Sequence, residues 1–384
     1  MIEIKSEKLP IYLWAKDIEE GALMQANNLA NHPFAFHHIT IMPDVHEGYG
    51  MPIGGVLATE KVIIPNAVGV DIGCGVTARK TSLKGVSKED LKNILGKIRE
   101  EIPVGFAHYK VSQDKINMPK FNFSKEIEKE YESALHQVGT LGGGNHFIEI
   151  QKDSKEYIWI MVHSGSRNLG FKVAHFYNHL AKELNKKNKI KISEKWDLCY
   201  LVLQSKEGKS YWQDMNFCLQ FAYNSRSLML SKISKIFEDH FPTVEFEKEI
   251  NIHHNYASLE KHFGKEVIVH RKGAISAVKD QIGLVPGSQG THSYLIKGLG
   301  NTLSFNSCAH GAGRRMSRKE ARRSLSLEEE KSKLDKKGIL HAIHGKRDLD
   351  EAASAYKNIE EVMDKQKDLA QIIEIFAPLA VVKG

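Results

Sequence analysis

Residues 139–150 read GTLGGGNHFIEI, and the second half of that stretch decides the fold. The three consecutive glycines invite a dinucleotide-binding fingerprint, in which a Gly-rich turn opens a helix whose N-terminus receives a pyrophosphate. The run after the glycines argues against it. HFIEI is aromatic and β-branched and reads as a strand, with His146 on one face and Phe147 and Glu149 on the other. Working outward, further strand-like runs are short and bounded by glycine: VIIPNAVGV (62–70), HFIEIQ (146–151), YIWIMVHSGS (157–166), EVIVHRKGA (266–274) and LAVVKG (379–384). Helical signals lie between them. Ser87 opens a stretch with Leu91, Ile94, Leu95 and Ile98 on one face, and Pro103 lies beyond its end. Residues 211–237 read as a longer amphipathic helix carrying Met215, Cys218, Ala222 and Leu228, and Ser326 with Glu329 caps a short charged helix that Gly338 stops. The interleaving is irregular, without the βαβ alternation of a doubly wound sheet. The expectation is one compact α+β domain over residues 1–384, with mixed β-sheets flanked by helices.

A chain of 384 residues with 41% hydrophobic content can bury a large core. Its net charge of +7 suits a polyanionic partner. Four cysteines (Cys74, Cys199, Cys218, Cys308) form no CxxC pair and no disulfide framework, which fits a reducing compartment. No apolar run approaches the length of a membrane span and the N-terminus has no leader-like apolar core. These features predict a soluble cytoplasmic protein with no membrane partner.

The chemistry-bearing residues cluster at the ends of the strand-like runs. VGVDIGCGV (68–76) sets Asp71 and Cys74 three apart on a Gly-rich turn, although an inert buried cysteine gives the same pattern. MVHSGSRNLG places His163 at a strand end, followed by Ser164, Ser166 and Arg167. In NIHHNYA, neighbours on a strand face opposite ways, so only one of His253 and His254 can join a shared site. Each signal is weak alone, since a strand-end histidine is usually a surface or satisfied core group. Together, one Asp, one Cys and three His make a mixed donor set suited to divalent transition metals. Five ligands exceed the need of one tetrahedral ion, favouring two ions with the Cys74 thiolate between them. In SCAHGAGRR (307–315), His310 stands before a Gly-Ala-Gly turn and two arginines, a setting for a nucleophile towards phosphorus. PGSQGTHSY (286–294) adds backbone and hydroxyl donors, RRMSR (314–318) phosphate binders, and AYKN (355–358) a late tyrosine.

MPDVHEGYGMPIGG, VGVDIGCGV, GGGNHFIEI, HSGSR, HHNYA, VHRKGA, PGSQGTHSY, CAHGAGRRMSR, AYKN and the terminal VVKG occur in the order seen in the RtcB family of RNA ligases, and the resemblance spans residues 40–384. It implies an RtcB-like fold and a GTP-dependent, manganese-dependent ligase. Such an enzyme joins RNA 3′-phosphate or 2′,3′-cyclic phosphate ends to 5′-hydroxyl ends, in RNA repair or tRNA splicing. By motif it makes Asp71, Cys74, His146, His163 and His254 the ligands of two Mn²⁺ ions, with Cys74 bridging, and His310 the nucleophile that carries GMP. Asn145, Phe147, Glu149, Ser288, Ser293, Tyr356 and Lys383 match guanylate-contacting positions, and Gly311, Ala312 and Gly313 leave room for its phosphate. A Glu149 carboxylate would select the N1–H and 2-amino donors of guanine, between the rings of Phe147 and Tyr356. Lys383, on a docked terminal strand, would reach the guanine carbonyl oxygen. An activating protein partner is compatible with the family, and monomer and homodimer both remain open.

Four positions depart from the family pattern: Glu47 for tryptophan, Asn168 for glycine, Gln289 for methionine, and His292 for a small residue. None is an expected ligand or nucleophile, but Glu47 would add negative charge where RNA approaches. Two other readings use the same residues. A two-metal RNA phosphodiesterase or nuclease would need neither His310 nor GTP, and a non-catalytic RNA-binding protein would need only the basic surface.

Overall fold

The computed structural model describes residues 1–120, 122–189 and 192–384. Alternation along Phe147–Lys152 and Tyr157–Ser164 organises the larger of two main sheets. Ile148, Ile150, Ile158, Ile160 and Val162 turn to one face and are fully buried there. Helices Lys88–Glu101 and Lys206–His240 cover that face with Leu91, Ile94, Leu95, Ile98, Met229, Leu230 and Ile233. Phe147, Trp159 and Met161 turn to the other face.

Seven strands make this sheet, in the order Ile250–His253, Gly75–Lys84, Tyr157–Ser164, Phe147–Lys152, Ala370–Lys383, Ser293–Gly298 and Ile282–Val285, antiparallel throughout. Its register does the positioning. Val76 pairs with His163, His163 with Phe147, and Phe147 with Lys383, so these four side chains stand in one row across four strands. One row further on, Met161, Glu149 and Val381 share the same face. A slip of one residue in any strand would turn its members of the row to the wrong side.

The second sheet has six strands: Ile2–Ile4, Ile11–Leu13, Ala35–His46, Ile53–Thr59, Lys265–Lys272 and Asn255–His262. Its pairing of Ile11–Leu13 with Ala35–His46 is the one parallel pairing among the described strands, so this sheet alone is mixed and the architecture is α+β, as expected. The ladder between Ala35–His46 and Ile53–Thr59 breaks register between Ile41 and His46. That irregularity frees Asp44 from regular pairing and aims it out of the sheet. Ser307–Ala309 pairs with Ala274–Ser276 and leads into His310.

The expected elements are present with different bounds. Ser87 caps its helix by accepting from Asp90 N at 3.1 Å. The helix expected over 211–237 runs from Lys206 to His240, with Ser205 accepting from Gly208 N. Ser326 accepts from Glu329 N at 3.3 Å, and Gly338 takes a positive φ of 70° past the helix end. LAVVKG is the end of a strand that begins at Ala370, so the terminus docks as expected. One expectation fails. VIIPNAVGV holds a two-residue strand, Val62–Ile63, and then the short helix Pro65–Val68. A short, mostly apolar run does not distinguish strand from buried helix, and a proline with fixed φ and no N–H suits the first helical turn. Among the described residues, no helix is long and apolar enough to cross a membrane.

Ile160 is fully buried between the large sheet and its helices. Ile160→Ala is expected to destabilise the protein by about 2–5 kcal/mol, the usual cost of such a cavity. Chemical denaturation measures it, and an unchanged midpoint would show that this face is not the packed one.

Candidate active site

Two strand ends and two loops bring the five expected ligand residues together. Asp71, Cys74 and His146 form one group of donor atoms lying within 4.8 Å of one another, and Cys74, His163 and His254 form another. Cys74 belongs to both. Its Sγ lies 3.3 Å from Nε2 of His146 and 3.3 Å from Nε2 of His163. His163 donates from Nδ1 to the carbonyl of Asn145 at 3.2 Å, which leaves its Nε2 lone pair facing the sulfur. Asp71 Oδ2 is 3.1 Å from His146 Nε2, and Asp71 Oδ1 accepts from Ser166 N.

The donor chemistry fits divalent metal ions. Burial pushes His163 and His254 well below the ordinary histidine range, so both rings are neutral and keep a lone pair near pH 7. Burial opposes the charge of Asp71, but the His146 hydrogen bond and charge and the Ser166 N–H hold its carboxyl below the usual range. Burial and the neighbouring Asp71 push the Cys74 thiol up. A cation at this sulfur reverses that balance, because ligation requires the thiolate. Nδ1 of His254 and Nδ1 of His146 are buried without a hydrogen-bond partner, so the protein itself leaves these ring nitrogens unsatisfied.

A buried arginine underlies this group. Arg226, on the long helix, donates from Nη1 to the carbonyls of Gly73 and Ser164, both at 2.8 Å, and from Nε to Asn251 Oδ1. Its Nη2 is 3.1 Å from Nδ1 of His253, whose ring is thereby held beside the Gly73 carbonyl and away from Cys74. His254, and not His253, thus stands in the donor cluster. The turn bearing Cys74 lies so close to the helix that a Cβ at Gly73, where φ is +76°, would stand 3.0 Å from the Ala222 side chain.

His310 stands against the same cluster, its ring centroid 4.6 Å from that of His254. Asp44, fully buried, accepts from His310 Nδ1 at 2.7 Å and from His310 N at 3.1 Å, with Gly311 N at 3.3 Å. A carboxylate can only accept here, so Nδ1 carries the proton and Nε2 is left as a nucleophilic lone pair. Gly313 follows at φ +71°, where a Cβ would collide with the Asp44 carbonyl, so the loop folds over the aspartate only with glycine there.

These groups open onto one cleft of about 1000 Å³. Asp71, Cys74, His163, His254, His310, Gly311, Ala312 and Gly313 line it, as do Asn145, Phe147, Glu149, Ser288, Tyr356 and Lys383. Two expected site residues stand behind the wall. His146 reaches Cys74 without lining the cavity, and Ser293 supports the turn by accepting from Gly287 N at 3.1 Å and Gln151 Nε2 at 3.1 Å. Burial raises Glu149 to about 8, against a hydrogen bond from Gln151 and the charge of Lys383.

Several residues of the site carried no local signal. Asp44 sits in an apolar strand 266 positions from His310. Glu351, nearly buried, accepts from Arg318 Nε at 3.0 Å, from Arg314 Nη1 at 3.3 Å and from the Tyr356 hydroxyl, with Lys383 Nζ 3.8 Å away. Arg314, expected as a free phosphate binder, is therefore committed to Glu351 and the Asp350 carbonyl and lies against the Tyr356 ring. Lys272 lines the cleft with its ammonium on the Tyr49 and Asn66 carbonyls, and burial lowers it to about 7.

Of the departures, Glu47 and Gln289 line the cleft. Glu47 turns back onto the start of helix Glu20–Ala30, where a Cβ on Gly21 would collide with its carboxylate. It lies there beside a helix start that already carries Glu19 and Glu20, with the Glu19 carboxylate accepting from Glu47 N. Gln289 Nε2 donates to the Glu351 carbonyl at 3.3 Å. Asn168 faces Glu130, and His292 lies at the surface 3.5 Å from Glu360.

The chain matches the family described as tRNA-splicing ligase RtcB over residues 25–124 and 112–384. It is 36% identical to the RNA-splicing ligase RtcB of Escherichia coli (strain K12), a similarity covering 99% of each chain. Identity to the tRNA-splicing ligase RtcB of Nanoarchaeum equitans is 32%, covering 98% of this chain and 95% of the relative. For the tRNA-splicing ligase RtcB of Thermococcus kodakarensis it is 30%, covering 95% and 92%. Sequence order, donor cluster and full-length similarity agree, and the chain belongs to the RtcB family of RNA-splicing ligases.

Proposed function

We propose that this chain joins RNA 3′-phosphate or 2′,3′-cyclic phosphate ends to 5′-hydroxyl ends, as in tRNA splicing or RNA repair, with GTP as the activating nucleotide and two manganese ions. The observation that carries the reading is the Asp44–His310 pair. It holds an imidazole with Nε2 bare beside a cluster of metal-type donors in one cleft. A two-metal phosphodiesterase would use the same donor cluster but has no need of a histidine held in this way.

Asp71, Cys74, His146, His163 and His254 would hold the ions, with Cys74 common to both. Bound there, the ions supply Lewis acidity to phosphoryl oxygens and lower the pKa of an attacking group. His310 Nε2 attacks the α-phosphorus of GTP, forming a P–N bond as pyrophosphate leaves. Asp44 accepts the hydrogen bond from Nδ1–H throughout and stabilises the positive charge that the ring gains. An oxygen of the RNA 3′-phosphate then attacks the same phosphorus, freeing His310 and leaving GMP on the RNA end. The 5′-hydroxyl oxygen attacks the 3′-phosphate phosphorus, closes the phosphodiester and releases GMP. A cyclic phosphate is first opened by water. Phe147 and Tyr356 would flank the guanine, Glu149 would accept from its N1–H and 2-amino group, and Lys383 would donate to its carbonyl oxygen. Asn145, Ser288 and the Gly311–Gly313 backbone would face the rest of the guanylate, with Ser293 behind.

With GTP labelled at the α-phosphate and Mn²⁺, the protein is expected to become covalently labelled through an acid-labile, base-stable bond. His310→Ala should lose the label while retaining bound Mn²⁺. Asp44→Asn should slow labelling by on the order of 10²–10⁴, as when the carboxylate partner of a catalytic histidine is neutralised. A base-labile adduct, or one on lysine, would overturn the assignment of His310. Elemental analysis is expected to find two metal equivalents, both lost in Cys74→Ala. Retention of one tightly held ion in that variant would rule out the shared sulfur.

Glu149 gives a pH signature. With its pKa near 8 in the empty pocket, it is protonated below that pH, yet guanine needs the carboxylate. GTP binding therefore expels a proton, and KM for GTP should fall as pH rises towards about 8 and then level off. Glu149→Gln should lose this dependence and the preference for GTP over ATP. The same slope in wild type and variant would show that another group titrates.

A further inference from the structure

We propose that a basic ridge, formed by helix Arg318–Ser324 and the adjoining segment Lys346–Glu351, is the surface on which the RNA backbone docks as it enters the cleft. The inference rests on the reading of the protein as an RNA ligase. The segment RRMSRKEARR (314–323) places six cationic residues in ten positions with one carboxylate, Glu320. Only some of these cations have partners. Arg318 Nε is 3.0 Å from Glu351, and Arg322 Nη2 is 2.5 Å from Asp350, carboxylates whose side chains are 5% and 12% exposed. These two ion pairs, with Ala321 buried beneath and Ser317 capping by accepting from Glu320 N, pin the helix to the body of the protein.

Lys319 and Arg323, four apart on that pinned helix, are exposed and have no ion-pair partner among the described residues. Like charges at this spacing repel, so the helix holds them in an arrangement that an anion between them would relieve. Lys346 and Arg347, on the segment packed against the helix, are also exposed and unpaired among the described residues. Arg315 and Arg318 carry the same charge onto the wall of the cleft, so the ridge runs continuously into it.

The chemistry of the ridge matches phosphodiesters better than a protein or membrane surface. Among the described residues, no large hydrophobic side chain from 300 to 371 is exposed, so the ridge offers no apolar anchor. Isolated ammonium and guanidinium groups spaced along a rim suit backbone phosphates, which position a nucleic acid without reading its sequence. Glu351 adds a physical link. The carboxylate that pins Arg318 also accepts from Tyr356 and lies beside Lys383, so the ridge and the candidate guanine pocket share one anchor.

The test uses the full chain, a short single-stranded oligoribonucleotide with a 3′-phosphate, and fluorescence anisotropy over a range of salt. Lys319→Ala/Arg323→Ala is compared with Lys92→Ala/Lys97→Ala, which removes equal charge from the helix covering the far face of the large sheet. The ridge variant should bind about tenfold more weakly, with its salt slope reduced by about 1.4, or about 0.7 for each phosphate that is no longer neutralised. The control should bind like wild type, and GMP labelling should be normal in both. Equal weakening in ridge and control variants would overturn the proposal in favour of non-specific attraction. Unchanged RNA binding in the ridge variant would overturn it in favour of an acidic protein partner. If wild type takes no GMP label but still binds RNA through the ridge, the ligase reading fails and the ridge stands.

Discussion

A guanidinium sealed in the core holds the reactive part of this protein in shape. Arg226 reaches from the long helix to the Gly73 and Ser164 carbonyls, to Asn251 and to His253, tying four separate chain segments. Its acceptors are neutral groups, so the cost of burying the charge is met by several good hydrogen bonds. Gly73 immediately precedes Cys74 and Ser164 immediately follows His163, so the spacing of the sulfur from the imidazole is set from beneath. The chain's own hydrogen bonds thereby fix the approach of these donors, and fixing ligands in advance lowers the entropy of assembling them at the moment of binding.

Above that anchor, sheet register distributes the tasks. One row of the seven-stranded sheet carries His163, Phe147 and Lys383 side by side, while the six-stranded sheet supplies Asp44 through a break in its ladder. The donor cluster, His310 and the residues proposed to meet the nucleotide are thus facets of one wall. The chain positions involved run from Asp44 to Lys383, so no short segment contains a working part of the site.

Much of this was legible in the sequence, for reasons that differ by residue. HFIEI announced a strand because its period of two and its β-branched residues agree. The five donors were legible because each stands beside glycine or small polar residues at the end of an apolar run. The His253 and His254 pair was separable because adjacent residues on extended chain diverge. The role of Asp44 was not legible, although it lies in the block MPDVHEGYG, since a carboxylate in an apolar strand is explained only by its distant partner His310. Arg226 was hidden for a similar reason, as a single arginine on an apolar helical face gives no hint of the four segments it joins. VIIPNAVGV misled because so short a run shows no clear period and its Pro65 opens a helical turn. The ion pair of Arg314 with Glu351 was out of reach, because Glu351 lies in a segment with no regular pattern.

The crowding of Glu47 against Gly21 has a consequence for where charge lies at the cleft. A side chain at position 21 would meet only the far end of the Glu47 side chain, which is exposed and can turn away. Contacting residues of this kind show non-additive effects. Position 21, outside the cleft lining, therefore decides where the Glu47 carboxylate rests and so adjusts the charge of a wall it does not itself form.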